Sequence, residues 1–212
     1  MSIFYVSDTH LDHEPILQWC AGTRPFSNID DMNDSIVETW NKVIGKKDEV
    51  RILGDLAFKR HGYWANALNG KKFLIVGNHD GMNLDALAGL QDVEPSTLKA
   101  VQQFRRVVSL IETTHQGQKM ALSHYWLGTW DGVASGARNL HGHVHGRRPA
   151  SLPGQVSDGK SFERGLWLDV GWDVHKRPLA FEEIDKIMGD KLLLMPEAFR
   201  NKAYEKMAKY RG

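Results

Sequence analysis

Five short strand-like runs, each followed by Asp, Asn or His, constrain this chain more than any other feature. Ile3–Val6 leads into Asp8 and His10, Val50–Leu53 into Gly54 and Asp55, and Phe73–Val76 into Gly77, Asn78, His79 and Asp80. Gln118–Ser123 leads into His124, and Asn139–His141 into His143 and His145. Short apolar runs bounded by Gly and polar residues read as strands. In α/β folds ligands bind off the carboxyl ends of strands, so five such ends can converge on one site.

The segments between them set the fold class. Met32, Ile36, Val37, Trp40, Val43 and Ile44 recur at a helical period, with Asp30 and Asp31 in the first turn and Gly45-Lys46 at the end, which predicts a helix over about Asp30–Ile44. Shorter helices are expected over Glu14–Cys20, Tyr63–Leu68 and Leu84–Leu90. The pattern then changes. Arg105–Thr114 and Gln118–Ser123 read as two strands of an antiparallel hairpin around His115-Gln116-Gly117. Arg147–Gly165, rich in Pro, Gly and Ser, reads as a long loop, and Gly165–Val170 as a strand. Helices are expected over Glu182–Met188 and Pro196–Tyr210, the latter with Phe199, Ala203, Met207 and Tyr210 on one face. Strands alternate with helices first and a more antiparallel half follows. That predicts one α/β domain over residues 1–212, two packed mixed sheets with helices outside, of which about 186–212 form a C-terminal helical extension.

Composition narrows the partners. Lys+Arg is 27 and Asp+Glu 26 in 212 residues, a net charge of +1 that makes no bulk electrostatic case for nucleic acid or an anionic membrane. The single cysteine, Cys20, excludes an internal disulfide and a cysteine-built zinc site, and reads as a small buried hydrophobe. No run approaches the length of a membrane span. Met1 runs almost directly into the first strand, leaving no room for a targeting peptide, and the expected location is cytoplasmic.

Asp8 and His10 lie two apart, as do His143 and His145; if the chain stays extended there, each pair points one way and can bite a common centre. Carboxylates, imidazoles and an amide without thiolate suit manganese, iron, zinc or nickel, and Asp55 can bridge two ions. Asp-x-His is a weak signal, with about one chance match expected; Asp173-Val174-His175 is a second match and is assigned no role. Gly-His-x-His (roughly 0.04 chance matches) and Gly-Asn-His-Asp (roughly 0.003) are far more specific.

Taken in order, Asp8-x-His10, Gly54-Asp55, Gly77-Asn78-His79-Asp80, Ser123-His124 and Gly142-His143-Val144-His145 resemble the calcineurin-like metallophosphoesterase superfamily. Ser7-Asp8-Thr9-His10, Arg24-Pro25-Phe26, Leu53-Gly54-Asp55, Leu122-Ser123-His124-Tyr125 and Asn139-Leu140-His141-Gly142-His143 are similar to its small bacterial and phage members. The resemblance covers residues 8 to 145, continues through the strand at Gly165–Val170, and leaves the tail beyond about Asp185 outside. It implies a four-layer αββα sandwich and a cytoplasmic hydrolase with two divalent transition-metal ions, manganese first. One ion would take Asp8, His10, Asp55 and His145; the other Asp55, Asn78, His124 and His143. A hydroxide bridging the ions would attack phosphorus, His79 would assist the leaving oxygen, and Asp80 would orient His79. Ser123 stands where many members have Gly; a small residue is kept.

Arg24 and His13 are candidate substrate contacts, against the blander readings of a surface arginine and a surface histidine. Arg147 and Arg148 are weaker candidates, better read as a solvated pair. Trp126 and Trp130 are expected in the core rather than on a substrate ring, and His141 is expected to point away from the site. The substrate class implied is a small phosphomonoester or phosphodiester. The alternatives are a nucleic-acid-directed phosphodiesterase or phosphatase and a non-catalytic metal-binding scaffold. Oligomeric state is left open.

Overall fold

A computed structural model of the chain describes residues 1–81, 101–147, 166–193, 195 and 197–211, with side chains to 209. The described residues form an α/β fold of two mixed sheets flanked by helices. The strands are β1 (Ile3–Val6), β2 (Glu49–Leu53), β3 (Lys71–Ile75), β4 (Arg106–Val108), β5 (Leu110–His115), β6 (Gln118–Ser123), β7 (Arg138–His141), β8 (Leu166–Asp169) and β9 (Leu179–Ala180). The first sheet runs β4-β3-β2-β1-β9, with β1 to β4 parallel and β9 antiparallel to β1. The second runs β5-β6-β7-β8, with β5 and β6 antiparallel and the rest parallel.

Helices α1 (Ile16–Trp19), α2 (Ile29–Val43), α3 (His61–Ala67), α4 (Trp172–His175), α5 (Phe181–Leu193) and α6 (Glu197–Arg211) complete the fold. The expected helix at Asp30–Ile44 is α2. Its start is set by Asn28, whose side chain accepts the Asp31 N–H at 2.9 Å. Its apolar stripe buries Met32, Ile36 and Trp40 completely.

The two-residue period of the strands divides the interior into two cores. Phe4, Val6, Val50, Ile52 and Leu74 face α2 and α3, while Tyr5, Leu53 and Ile75 on the opposite face of the same sheet meet Met120, Leu122, Leu140, Leu166 and Leu168 of the second sheet. Helix α5 adds Phe181, Ile184, Met188 and Leu192 to that second core. Each fully buried side chain of this kind contributes roughly 1.5–3 kcal/mol by leaving water, against about 0–1 kcal/mol for a surface ion pair. The cores therefore hold the sheets together. The C-terminal extension packs on its own domain: Ala203 of α6 is fully buried in the second core, against Gly136.

The hairpin forms as expected. His115 pairs with Gln118, and both turn residues, Gln116 and Gly117, have positive φ (47° and 77°), as a type I′ turn demands. One expectation is corrected. Arg105–Thr114 is not one strand; β4 pairs with β3 in the first sheet and β5 with β6 in the second, with Ser109 between them. The two-residue β9 and the four-residue α4 were not foreseen, being too short to carry a period. Leu84–Leu90 and residues 148–165 of the expected loop lie outside the described residues.

The parallel strands place their carboxyl ends together, and the two sheets meet there. Ser7, just past β1, bridges in parallel to Gly171, just past β8, through Ser7 N–H to the Val170 carbonyl (3.2 Å) and Trp172 N–H to the Ser7 carbonyl (2.8 Å).

Candidate metal centre

All five strand-end clusters converge at that junction. Asp8, His10 and His145 offer one donor atom each within 4.8 Å of one another, and Asp8, Asp55 and His124 do the same. Asp55 joins the groups: its Oδ2 lies 3.5 Å from His10 Nε2 and 3.4 Å from His124 Nε2. Asn78 Oδ1 lies 2.9 Å from His124 Nε2, and the rings of His124 and His143 are 5.1 Å apart. Asn78 and His143 are exposed and the other donors are buried or half-buried, so the centre opens to solvent on the Asn78–His143 side.

The main chain is bent to make this possible. The expectation of extended backbone at the Asp-x-His and His-x-His pairs is corrected: Asp8, His10, Asp55, His143 and His145 all have left-handed φ, between 49° and 70°. Such residues cost roughly 1–3 kcal/mol each and cluster at functional sites. The motif glycines serve close approach. A Cβ on Gly77 would stand 2.2 Å from Asp55 Oδ1, and one on Gly142 1.9 Å from Ser7 Oγ and 2.3 Å from Asp8 Oδ2.

Each buried histidine is held by its Nδ1 and presents its Nε2. His124 Nδ1 meets the Leu53 carbonyl at 2.8 Å, His145 Nδ1 meets Asp173 Oδ2 at 2.7 Å, and His10 Nδ1 meets His13 Nδ1 at 2.9 Å. Fixing one ring nitrogen this way selects the tautomer that leaves the other free to ligate. The carboxylates are fixed too: His143 N–H donates to Asp8 (3.0 and 3.1 Å) and His79 N–H to Asp55 Oδ1 (2.8 Å).

Electrostatics follow from burial and pairing. Burial pushes the Asp8 carboxyl up to about 6. Burial would raise Asp55 as well, but the hydrogen bond and charge of His124, with His10, hold it down at about 2. The same contact carries His124 up to about 9 against the opposing effect of its burial. Burial drives His10 well below its usual range. His10 Nε2 is buried and has no hydrogen-bond partner among the described residues, an arrangement that is costly unless something ligates it. That orphaned atom, with the N/O donor set around it, fits a divalent transition ion.

Other expected residues sit differently. Arg24 is no substrate contact. It is fully buried behind the centre, bound to Asp173 through Nη2 (2.7 Å) and Nε (3.0 Å) and to the carbonyls of Thr9 and Asp8. An arginine with these partners braces the Asp8–His10 turn from within. Asp80 does not orient the His79 ring; its carboxylate accepts main-chain N–H groups of Asp55, Leu56 and Gly77 at 2.8–2.9 Å and so locks two site loops together. His13 is neither on the surface nor at the mouth: it is buried, packed between His10 and Phe58. The Arg147 guanidinium donates to the Trp19 carbonyl, and Arg148 lies outside the described residues. Trp130 is buried, as expected, and so are His141 and Cys20. Asp173 was missed. It is buried, holding His145, Arg24 and Thr23 at once. Burial would raise its carboxyl, but the hydrogen bonds of His145 and Arg24 keep it far below the usual range. Its one signal was the Asp173-Val174-His175 match set aside as chance.

The fold has a counterpart among solved structures. The crystal structure of a protein of unknown function from Aquifex aeolicus superposes with a TM-score of 0.62 over 88% of this chain and 98% of that one, at 21% sequence identity, a likeness of fold alone. In sequence, the chain is similar to an uncharacterized protein of Methanocaldococcus jannaschii (41% identical over 83 residues, 37% of this chain and 46% of the relative). It is also similar to the gene 66 proteins of Mycobacterium phages L5 (32% over 92 residues, 39% and 43%) and D29 (31% over 85 residues, 37% and 40%). These matches span less than half the length of each relative. No protein-family model matches the chain. No described helix is long and apolar enough to cross a membrane.

Proposed function

We propose that the chain is a metal-dependent phosphoric ester hydrolase of the calcineurin-like metallophosphoesterase type, its two sheets and helices forming that superfamily's four-layer αββα sandwich. The observation that carries this reading is the pair of donor groups brought together by Asp8 and Asp55, with His10 Nε2 of the first group buried and without a hydrogen-bond partner among the described residues. One ion would be held by Asp8, His10, Asp55 and His145, and the other by Asp55, Asn78, His124 and His143. Manganese is the first choice, with iron, zinc or nickel as alternatives. When bound, such ions neutralise phosphoryl charge and lower the pKa of coordinated water.

The chain's own residues do the rest. Asp55 Oδ1 is fixed by the His79 N–H, and Oδ2 lies within 3.5 Å of both His10 Nε2 and His124 Nε2, so the carboxylate already faces both groups. His79 lies 5.2 Å, ring to ring, from His10, on the rim of the centre. Its imidazole gives a proton to the departing alkoxide, a contribution typically worth 10²–10⁴-fold. Asp80 holds the Gly77–Asp80 turn against the Asp55 loop, so His79 and Asp55 keep their relative positions.

The test is hydrolysis of p-nitrophenyl phosphate and bis-p-nitrophenyl phosphate by metal-stripped protein supplied with Mn²⁺, Ni²⁺, Zn²⁺, Mg²⁺ or chelator, beside a His143→Ala control. Ion-dependent turnover that the control loses is expected, and the ratio of the two rates assigns monoesterase or diesterase. Absence of bound metal in the wild-type protein would refute the reading.

A further inference from the structure

Beside the centre stands a group of aromatic rings that the chemistry above does not use. Trp19, at the end of α1, is 54% exposed, and Phe58, in the segment after β2, is 46% exposed. Buried His13 joins them, stacked on Phe58 (centroids 4.7 Å, planes 14° apart) and edge-on to Trp19 at 5.2 Å. His79 completes the cluster at 4.8 Å from His13, 6.1 Å from Phe58 and 6.4 Å from Trp19. Two large rings held half in water, braced from below by a buried third, make a stiff apolar surface on the His79 flank. The nearby guanidinium groups are engaged: Arg60 pairs with Asp12 and Arg147 with the Trp19 carbonyl.

The leaving group of an ester turned over here departs towards His79, and the next atoms it meets are those of this surface. We propose that the phosphate ester carries a planar aromatic group on its leaving-group side, seated against Trp19 and Phe58. This deepens the phosphoesterase reading and rests on it. Stacking favours a planar π-face over a saturated ring of equal size, and the engaged arginines offer little to a second phosphate.

The experiment uses two matched substrate pairs and the metal-loaded protein. Benzyl and cyclohexylmethyl phosphate share size and leaving-group type; adenosine 5′-monophosphate and ribose 5-phosphate share the leaving hydroxyl. The wild type should favour the aromatic member of at least one pair by about tenfold in kcat/KM. Preference confined to the benzyl pair places the ring next to the leaving oxygen; preference confined to the nucleotide pair identifies it as a nucleobase. Trp19→Leu with Phe58→Leu should bring the ratio within each pair close to one, mainly through a raised KM for the aromatic member. Both side chains are half exposed, so the fold should survive, and thermal midpoints check this. Equal rates within both pairs for the wild type, or a preference that survives the double substitution, would overturn the inference with the phosphoesterase reading intact. No ion-dependent hydrolysis of any of the four esters or of bis-p-nitrophenyl phosphate would refute both.

Discussion

Replacing Asp173 by Asn tests the most consequential contact that the sequence reading missed. In the folded chain its buried carboxylate takes half-buried His145 Nδ1 and buried Arg24 Nη2, each at 2.7 Å, and Arg24 Nε at 3.0 Å. The substitution leaves Arg24 inside the protein without its anion, and stranding one partner of a buried pair costs about 3–5 kcal/mol. That is a large part of the roughly 5–15 kcal/mol by which domains are stable. It also takes the negative charge from the acceptor that fixes the His145 ring, a kind of loss that lowers metal affinity about 10–100-fold. The two effects separate in a cycle of Asp173→Asn, Arg24→Met and the double variant. Removing both charges should restore most of the stability in urea titrations. It should not restore affinity at the Asp8–His10–His145 group, read by competition with a chromophoric chelator. Wild-type affinity in Asp173→Asn would refute the positioning role. A double variant no more stable than the single ones would refute the buried-pair argument.

Three further outcomes are expected. Gly142→Ala should lower both stability and the number of bound ions, because its Cβ must displace Ser7 Oγ and Asp8 Oδ2 from 1.9 and 2.3 Å; metal stoichiometry and urea midpoints measure this. Ala203→Leu should cost about 1–3 kcal/mol by overpacking α6 against Gly136, with no change in metal binding. Burial pulls Lys72 down to about 8 from its ordinary 10.5, so between those values the unfolded chain holds a proton that the folded one has released. Stability should therefore rise with pH across that window, and Lys72→Met should flatten the slope in urea titrations at graded pH.

The convergence of the candidate donors was legible because each follows a strand-like run and a strand end is a local event. Gly77 and Gly142 were visible for a related reason: the main chain passes within contact of the donors there, and only glycine fits. The backbone shape at those donors was not legible, since Asp and His give no local notice that φ will be positive. Arg24 illustrates a different limit. As a residue before Pro25 it reads equally well as surface or phosphate ligand, and the partner that decides the matter stands 149 positions away. The break between β4 and β5 was hidden because both sheets use the same side-chain period. Trp19 and Phe58 were passed over because an aromatic residue at the end of a short helix or in a loop reads as packing until the fold places it beside His79.

The bond from Asp173 to His145 and Arg24 also sets an order of events during synthesis. A nascent chain that has just released Gly142–His145 from the ribosome already carries every candidate ligand, yet it lacks Asp173 and the β8 strand before it. His145 would then be free to spin, the Asp8–His10 turn would have no brace beneath it, and Ser7 would have no partner strand at Gly171. On the proposed metal-binding reading, a chain at that stage would be a loose chelator, and selectivity among ions would arrive only after β8 and α4 are made and α4 folds over the back of the site.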